Sequence, residues 1–218
     1  MASAGVRASV GTPVSVCGLR ERKKRRTRDA LLSAALDLFK AKGYEHTTVR
    51  EITDAVEVSE RTFFRYFASK EELVLSFVVA AADAFAVELS KRPASERPVE
   101  ALRNAMRTAA LTLDPQDIER EQMAYALAMR LIEATPALLA AQLMVSQNLC
   151  EKLIAIMAER EGVDPATDPR PRIIATVFCG LMSAASQVWR GDGDITTMTE
   201  LADGYLAELV PTFTEPWT

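Results

Sequence analysis

Cysteine, histidine and glycine are scarce in this chain. Of its 218 residues, three are cysteine, one is histidine and nine are glycine. The three cysteines, Cys17, Cys150 and Cys179, are odd in number and form no CxxC, which argues against a disulfide framework. Cys150 and Cys179 fall in apolar helical patterns and read as small buried hydrophobes. His46 stands alone, with no CxxC or HExxH spacing to support it, so no metal site and no cofactor are expected. There is no GxSxG and no phosphate-binding loop, and a lone histidine at a turn makes a poor general base. The chain is read as a non-enzyme. Long apolar runs are missing too. The strongest, Phe77–Ala82 and Ala137–Ala141, fall far short of the ~20 residues that cross a bilayer, so no membrane partner is expected. The N-terminal MASAGVRASVGTPVSVCG has no continuous apolar segment of the secretory kind. Residues 1–19 read as a disordered extension, and the protein as cytoplasmic.

What remains is a helix-forming composition, rich in Ala, Leu, Met and Glu, with prolines clustered between long uninterrupted segments. An all-α fold of about nine helices is expected. The net charge of −4 conceals an asymmetry. Residues 1–70 carry 14 Lys/Arg against 8 Asp/Glu, whereas residues 71–218 carry 12 against 22. A basic head on an acidic body points to a polyanion partner for the head. A solvated basic helix end would leave the same imbalance.

The head divides into helical pieces. In DALLSAALDLFKAK, Leu32, Ala35, Leu36 and Phe39 mark one helix face, and Gly43 ends it. Thr48 followed by Glu51 is a capping box for a short helix from about Val49. Glu57-Val58 makes a turn where a glycine is usual, and Ser59 suits the N-cap of the next helix. Ser69 with Glu72 caps a long helix from Lys70 to about Ser90. The two short helices form a helix-turn-helix. Its second helix concentrates aromatics: RTFFRYF holds four of the fourteen in the chain. On a wheel of about 100° per residue, Phe63, Tyr66 and Phe67 share a side, while Arg61 and Arg65 lie opposite, flanked by Thr62 and Phe64. So short a helix cannot hold itself together by backbone bonds alone. Phe63 and Phe67 therefore act as the mount, and Arg61, Thr62, Phe64 and Arg65 are what is presented. Arginines at i, i+4 on a basic module suit a DNA major groove. The competing reading is a solvent-facing helix with ordinary surface arginines.

These elements resemble the TetR family of bacterial transcriptional regulators. TTVREI, VSERT, RYF and SKEEL occur in the family's order within about residues 22–75. The resemblance implies a helix-turn-helix DNA-binding domain over residues 20–69 and a ligand-binding and dimerisation domain over 70–218. It implies that Thr48 caps the second helix and touches phosphate, and that Arg50 reaches a base. Ser59 and Thr62 would contact backbone or bases. Tyr66 and Lys70 would clamp phosphates, with basic residues among Arg25, Arg26 and Arg28 reaching the backbone or minor groove. Phe64 stands where the family commonly has tyrosine, replacing a hydroxyl contact by an apolar one to a thymine methyl. Arg61 stands where many members have a small residue and is expected to help set operator choice. His46, at a helix-to-helix turn, reads as packing rather than as a switch.

The body reads as helices over Val99–Thr112, Asp117–Ala134, Pro136–Glu161 with Thr135 as its N-cap, and Arg172–Arg190, then one capped by Thr197 with Glu200 and reaching about Val210. Turns are expected at Asp114-Pro115, at Gly162–Pro171 and at Gly191–Asp194. The broad apolar stripe on Arg172–Arg190 suits a helix with a core face and a partner face. The family resemblance implies a homodimer through the last two helices on an inverted-repeat double-stranded DNA operator. It also implies a small-molecule effector. Gln142 and Ser146 with Met123, Met129, Phe178 and Met182 are the candidate effector-site residues, suited to an apolar or amphipathic ligand. Methionines at these spacings also fit plain core packing. The segments EATPALLAAQ and RTFFRYF are similar to a subgroup that includes the mycofactocin-associated regulators, some of which respond to acyl-CoA-type ligands. The leading expectation is a dimeric repressor released by ligand. A regulator governed by a protein partner, or acting as an activator, is the alternative.

Overall fold

A computed structural model describes residues 16–111, 118–189 and 195–214. Among them the chain is all-helical: α1 (Val16–Lys42), α2 (Val49–Ala55), α3 (Glu60–Phe64), α4 (Lys70–Ser90), α5 (Pro98–Leu111), α6 (Ile118–Ala134), α7 (Pro136–Glu161), α8 (Arg170–Trp189) and α9 (Ile195–Thr214). Two compact units result, Met1–Ala68 and Ser69–Thr218. The division falls one residue from the sequence-read boundary.

In the first unit α1 packs on α2 and α2 on α3. The core is small: Leu31, Leu32, Ala35, Leu36, Phe39, Tyr44, Ile52, Phe63 and Phe67 are buried. The face expected on α1 is therefore the one used. Helix α1 starts at Val16, inside the stretch expected as a disordered extension, so the basic run belongs to a continuous helix. The rest of that extension, 1–15, lies outside the described residues.

In the second unit α4 packs against α5, α6 and α7. Helix α7 also meets α6 and α8, and α9 lies on α5 and α8. Strict apolar runs understate two helices. By length and composition α4 and α8 reach what a membrane span needs, which corrects the expectation drawn from runs alone. Isolated polar residues such as Asp83 and Ser76 break the runs without breaking the apolar average. In α4 that apolarity serves a helix with three neighbours.

Two side-chain brackets tie this unit. Asp203 on α9 accepts from Arg103 Nε (2.5 Å) and Nη2 (2.8 Å) and from Arg107 Nη2 (2.9 Å), joining α9 to α5. Arg160, near the end of α7, donates to the carbonyls of Arg92 (2.7 Å), Pro93 (2.9 Å) and Glu96 (2.9 Å), gathering the carbonyls of the turn after α4. Gly162 then ends α7 in the left-handed conformation (φ +64°).

Two expected boundaries move. Helix α8 begins at Arg170, two residues early, because Asp168 accepts from the Arg170 N–H (2.9 Å) while Pro171 has no N–H to satisfy. Helix α9 begins at Ile195, so Thr197 lies inside it and is not its cap. Thr135 and Pro136 are the N-cap and N1 of α7, as read, although the Thr135 side chain makes no capping bond. The turns expected at Asp114-Pro115 and Gly191–Asp194 lie outside the described residues. Cys150 and Cys179 are half-buried rather than sealed in. Burial, with Cys150 alongside, pushes the Cys179 thiol up to about 12.

Candidate nucleic-acid interface

Capping places the two short helices. Thr48 Oγ1 accepts from the Glu51 N–H (3.2 Å), and Glu51 returns a carboxylate oxygen to the Thr48 N–H (2.9 Å) and hydroxyl (2.7 Å), so the expected capping box is complete. Lys42 at the end of α1 forms an ion pair with Glu51. The Lys42 ammonium and the Thr48 N–H together hold the Glu51 carboxyl at about 2. The start of α2 is thereby tied to the end of α1. Two threonines flank this start in the interior. Thr47 donates its hydroxyl to Gly43 O (2.8 Å) and Thr53 to Arg50 O (2.8 Å), so both are buried without an unpaired group.

The turn between α2 and α3 depends on Glu57, the one non-glycine residue at positive φ (+55°) among the described residues. Its N–H bonds Asp54 O (3.2 Å) and the next, Val58 N–H, bonds Thr53 O (3.0 Å), closing α2 through a left-handed residue. Ser59 then caps α3, accepting from the Thr62 N–H (3.2 Å), with its hydroxyl 3.0 Å from that of Thr62. Helix α3 is only five residues long, shorter than expected, yet the coil continues through Tyr66 N–H to Phe63 O (2.8 Å) and Phe67 N–H to Phe63 O (3.0 Å). The side-chain directions of a longer helix are kept.

The mount is as read. Phe63 is fully buried, Phe67 is 2% exposed, and their rings stand 5.6 Å apart. Phe64, edge-on to Phe63, is 53% exposed. Arg61 and Arg65 are exposed and Thr62 is half-exposed. Arg65 lies over the Tyr66 ring (5.1 Å) with Nη2 3.4 Å from its hydroxyl, which pre-orients both. Arg28 lies over the Phe67 ring (5.4 Å), so the face of a core aromatic helps hold this cation. Arg50 is exposed and leans toward Asp54 at 3.8 Å, a weak pair that frees it readily. Lys70 opens α4 in the second unit, behind the Ser69 cap. His46 is exposed. The first unit thus presents Thr48, Arg50, Ser59, Arg61, Thr62, Phe64, Arg65 and Tyr66 from a capped helix-turn-helix.

Comparison with known proteins decides the family. Residues 31–77 match the profile described as bacterial regulatory proteins, tetR family, and residues 96–214 match the MftR C-terminal domain. The chain is 44% identical to the HTH-type transcriptional regulator TcmR of Streptomyces glaucescens over 92% of this chain and 90% of that one. The chain belongs to the TetR family of transcriptional regulators. A more distant member is Mycobacterium tuberculosis MftR, assigned to mycofactocin biosynthesis regulation, at 26% identity over 84% of this chain and 90% of that one. Among solved structures, a TetR-family regulator from Syntrophomonas wolfei shares the fold at TM-score 0.61 and 18% identity, covering 86% of this chain and 96% of that one. This TetR-family chain is a DNA-binding transcriptional regulator, and its helix-turn-helix is the DNA-binding element.

Of the six effector-site candidates, the structure brings Met129 and Gln142 together. Met123 is 49% exposed and Ser146 is exposed. Met129 is buried with its sulfur 4.0 Å from the Gln142 amide. Phe178 is buried and stacks on Phe85 (4.9 Å), and Met182 is half-buried. A cleft of about 90 Å³ between α4 and α7 is lined by Val79, Ala82, Asp83, Val145, Asn148, Leu149 and Lys152, none of them among the six.

Proposed function

We propose that the protein is a homodimeric repressor that binds an inverted-repeat operator and is released from it by a small apolar or amphipathic ligand held in the helical body, in the cytoplasm. The carrying observation is the α3 face: Arg61, Thr62, Phe64 and Arg65 outward, anchored through Phe63 and Phe67. Phosphate contacts would come from Thr48, Tyr66, Lys70 and Arg28, and base contacts from Arg50, Arg61 and Phe64.

The dimer reading draws on α8. Ile173, Thr176, Gly180, Ala184 and Val188 line an exposed face, opposite the buried Ala175, Phe178, Ala185 and Trp189. A Cβ on Gly180 would meet nothing within 4 Å, and the same holds for Gly204 on α9. A mid-helix glycine costs roughly 1 kcal/mol against alanine, and close approach of a partner helix gives it a use. Two-fold pairing through α8 and α9 would put the recognition helices ~34–36 Å apart, on successive major grooves.

Ligand release requires the effector to prefer one body conformation. A solved relative of this fold, Thermus thermophilus FadR, holds lauroyl-CoA (TM-score 0.50, 21% identity). Two observations favour a second reading, control by a protein partner. Leu139, Leu143 and Met144 form an exposed apolar patch on α7, and the α4–α7 cleft is well below the ~300 Å³ of an ordinary ligand pocket. Footprinting on the DNA upstream of the gene, in a salt series, tests the reading. A protected inverted repeat with a steep salt slope supports it. Protection of a single half-site would overturn the dimer, and an operator complex that no ligand weakens would favour the partner reading.

A further inference from the structure

Cys150 on α7 and Cys179 on α8 are both free thiols, and both are half-buried. Two contacts between the helices set their register. Arg172 Nη1 pairs with Glu151 Oε1 at 3.3 Å, and Cys150 Sγ lies 3.9 Å from Thr176 Oγ1. Thr176 stands one turn before Cys179 on the same side of α8, since residues three apart are neighbours on a helix surface. Cys150 is thus brought alongside Cys179, close enough to act on its thiol. Packed helices run about 8–10 Å apart with Cα atoms ~2.3 Å from each axis, so facing Cα atoms approach to roughly 3.5–5.5 Å. That overlaps the Cα separation of about 4.4–6.8 Å that a disulfide spans. The two thiols differ in setting. Burial, with Cys150 alongside, pushes the Cys179 thiol up to about 12, so it keeps its proton through the neutral range. Cys150 borders solvent: Ser146, Gln147 and Glu151 around it on α7 are exposed. A reagent in solution therefore meets Cys150 first.

We propose that Cys150 and Cys179 are an oxidation site, which a peroxide closes into a disulfide tying α7 to α8. The Cys150 sulfur attacks one peroxide oxygen as the O–O bond breaks, giving a Cys150 sulfenic acid and one water. The Cys179 sulfur then attacks the sulfenic sulfur. The S–S bond forms, the S–O bond breaks, and the Cys179 proton leaves with the hydroxide as a second water. The two sulfurs together lose two electrons, and the peroxide gains them. A dithiol reductant reverses the bond by exchange. Closure brings the sulfurs from contact to ~2.05 Å, which draws α8 toward α7 near Thr176 and Gly180. Both residues belong to the open α8 face that the dimer reading uses. Closure therefore weakens pairing and, through it, operator binding. That consequence rests on the dimer reading, whereas the disulfide itself does not. Peroxide would then free operator DNA with no effector bound in the body.

The test uses the full-length chain with Cys17→Ser, which leaves Cys150 and Cys179 as its only cysteines. A small molar excess of hydrogen peroxide is expected to remove two hydrogens from the intact mass, and peptide mapping to place the link between Cys150 and Cys179. Dithiothreitol should restore both thiols. With Cys179→Ala the reaction should stop at a Cys150 sulfenic acid, trapped by dimedone. With Cys150→Ser neither trapping nor a link should appear. Sedimentation equilibrium of the reduced and oxidised chain should show self-association weakened at least about fivefold, the lower end of ordinary coupling between sites. Thiols that survive peroxide intact, a link between chains in place of one within a chain, or a Cys150 that runs on to sulfinic acid beside a free Cys179 overturns the site. A disulfide that leaves the association of a dimeric chain unchanged overturns its control of pairing. A reduced chain that is monomeric yet closes the disulfide removes the dimer reading and leaves the oxidation site standing.

Discussion

Phe63 and Arg61 sit two residues apart on the same short helix, yet their loss should fail in opposite ways. Phe63 is fully buried and meets both Phe64 (5.4 Å) and Phe67 (5.6 Å). Truncating a buried phenylalanine to alanine costs about 3–5 kcal/mol. Much of a small domain's total stability, ~5–15 kcal/mol, would go with it. The first unit has few other large core residues to compensate: Leu31, Leu32, Leu36, Phe39, Tyr44, Ile52 and Phe67. Phe63→Ala should therefore abolish operator binding because the recognition helix loses its seat. Arg61 is exposed, so Arg61→Ala should change stability by under ~0.5 kcal/mol. If it reads a base, its removal should cost about 1–3 kcal/mol of discrimination at one position per half-site, roughly 5- to 150-fold in affinity ratio. Urea unfolding followed by circular dichroism gives the stability term. Operator titration at fixed salt, against variants altered one base pair at a time, gives the recognition term. Phe63→Ala with unaltered unfolding would refute the mount. Arg61→Ala that weakens every sequence equally would show that Arg61 only contacts phosphate.

Three further outcomes are expected. Asp203→Asn should destabilise the second unit by about 1–3 kcal/mol, because it weakens the part-buried bonds to Arg103 and Arg107. The Arg103 guanidinium holds the Asp203 carboxyl below its ordinary range. Its stabilisation is therefore full above the unfolded value near 4 and fades as pH falls through the lower folded value, so an acid titration of the Asn variant should be flatter than the parent's. Arg160→Met should cost about 2–4 kcal/mol by thermal unfolding, since it strips three carbonyls of their donor, and Arg160→Lys should recover only part. Glu57→Gly should raise the midpoint, by up to roughly 1 kcal/mol, because φ is +55° there and glycine adopts that conformation without a Cβ penalty; a lower midpoint would show that the Glu57 side chain contributes to the turn.

How much of this was legible from the residues differs between the two units, for a physical reason. In the head, local chemistry determines local shape. The Thr48–Glu51 box, the Ser59 cap and the two buried phenylalanines each leave a short-range mark, and the structure has all of them. What was missed there is tertiary: the Lys42–Glu51 pair joins residues whose meeting depends on how α1 and α2 fold together. In the body, periodicity locates helices but leaves open which apolar face meets which. Met123 and Ser146 looked inward on a pattern and are exposed. The Thr197–Glu200 spacing resembled a cap, yet α9 starts ahead of it, because residues that suit a cap are also tolerated within a first turn.

This contrast bears on how such a protein evolves and is controlled. A face built from short-range rules can keep its shape while single outward residues such as Arg61 and Phe64 change, so what it presents is separable from folding. The body has no such independence. Its ties join helices far apart in the chain, Asp203 on α9 to Arg103 and Arg107 on α5, and Arg160 on α7 to the carbonyls of the turn after α4, so a change at one of them alters how several helices pack at once.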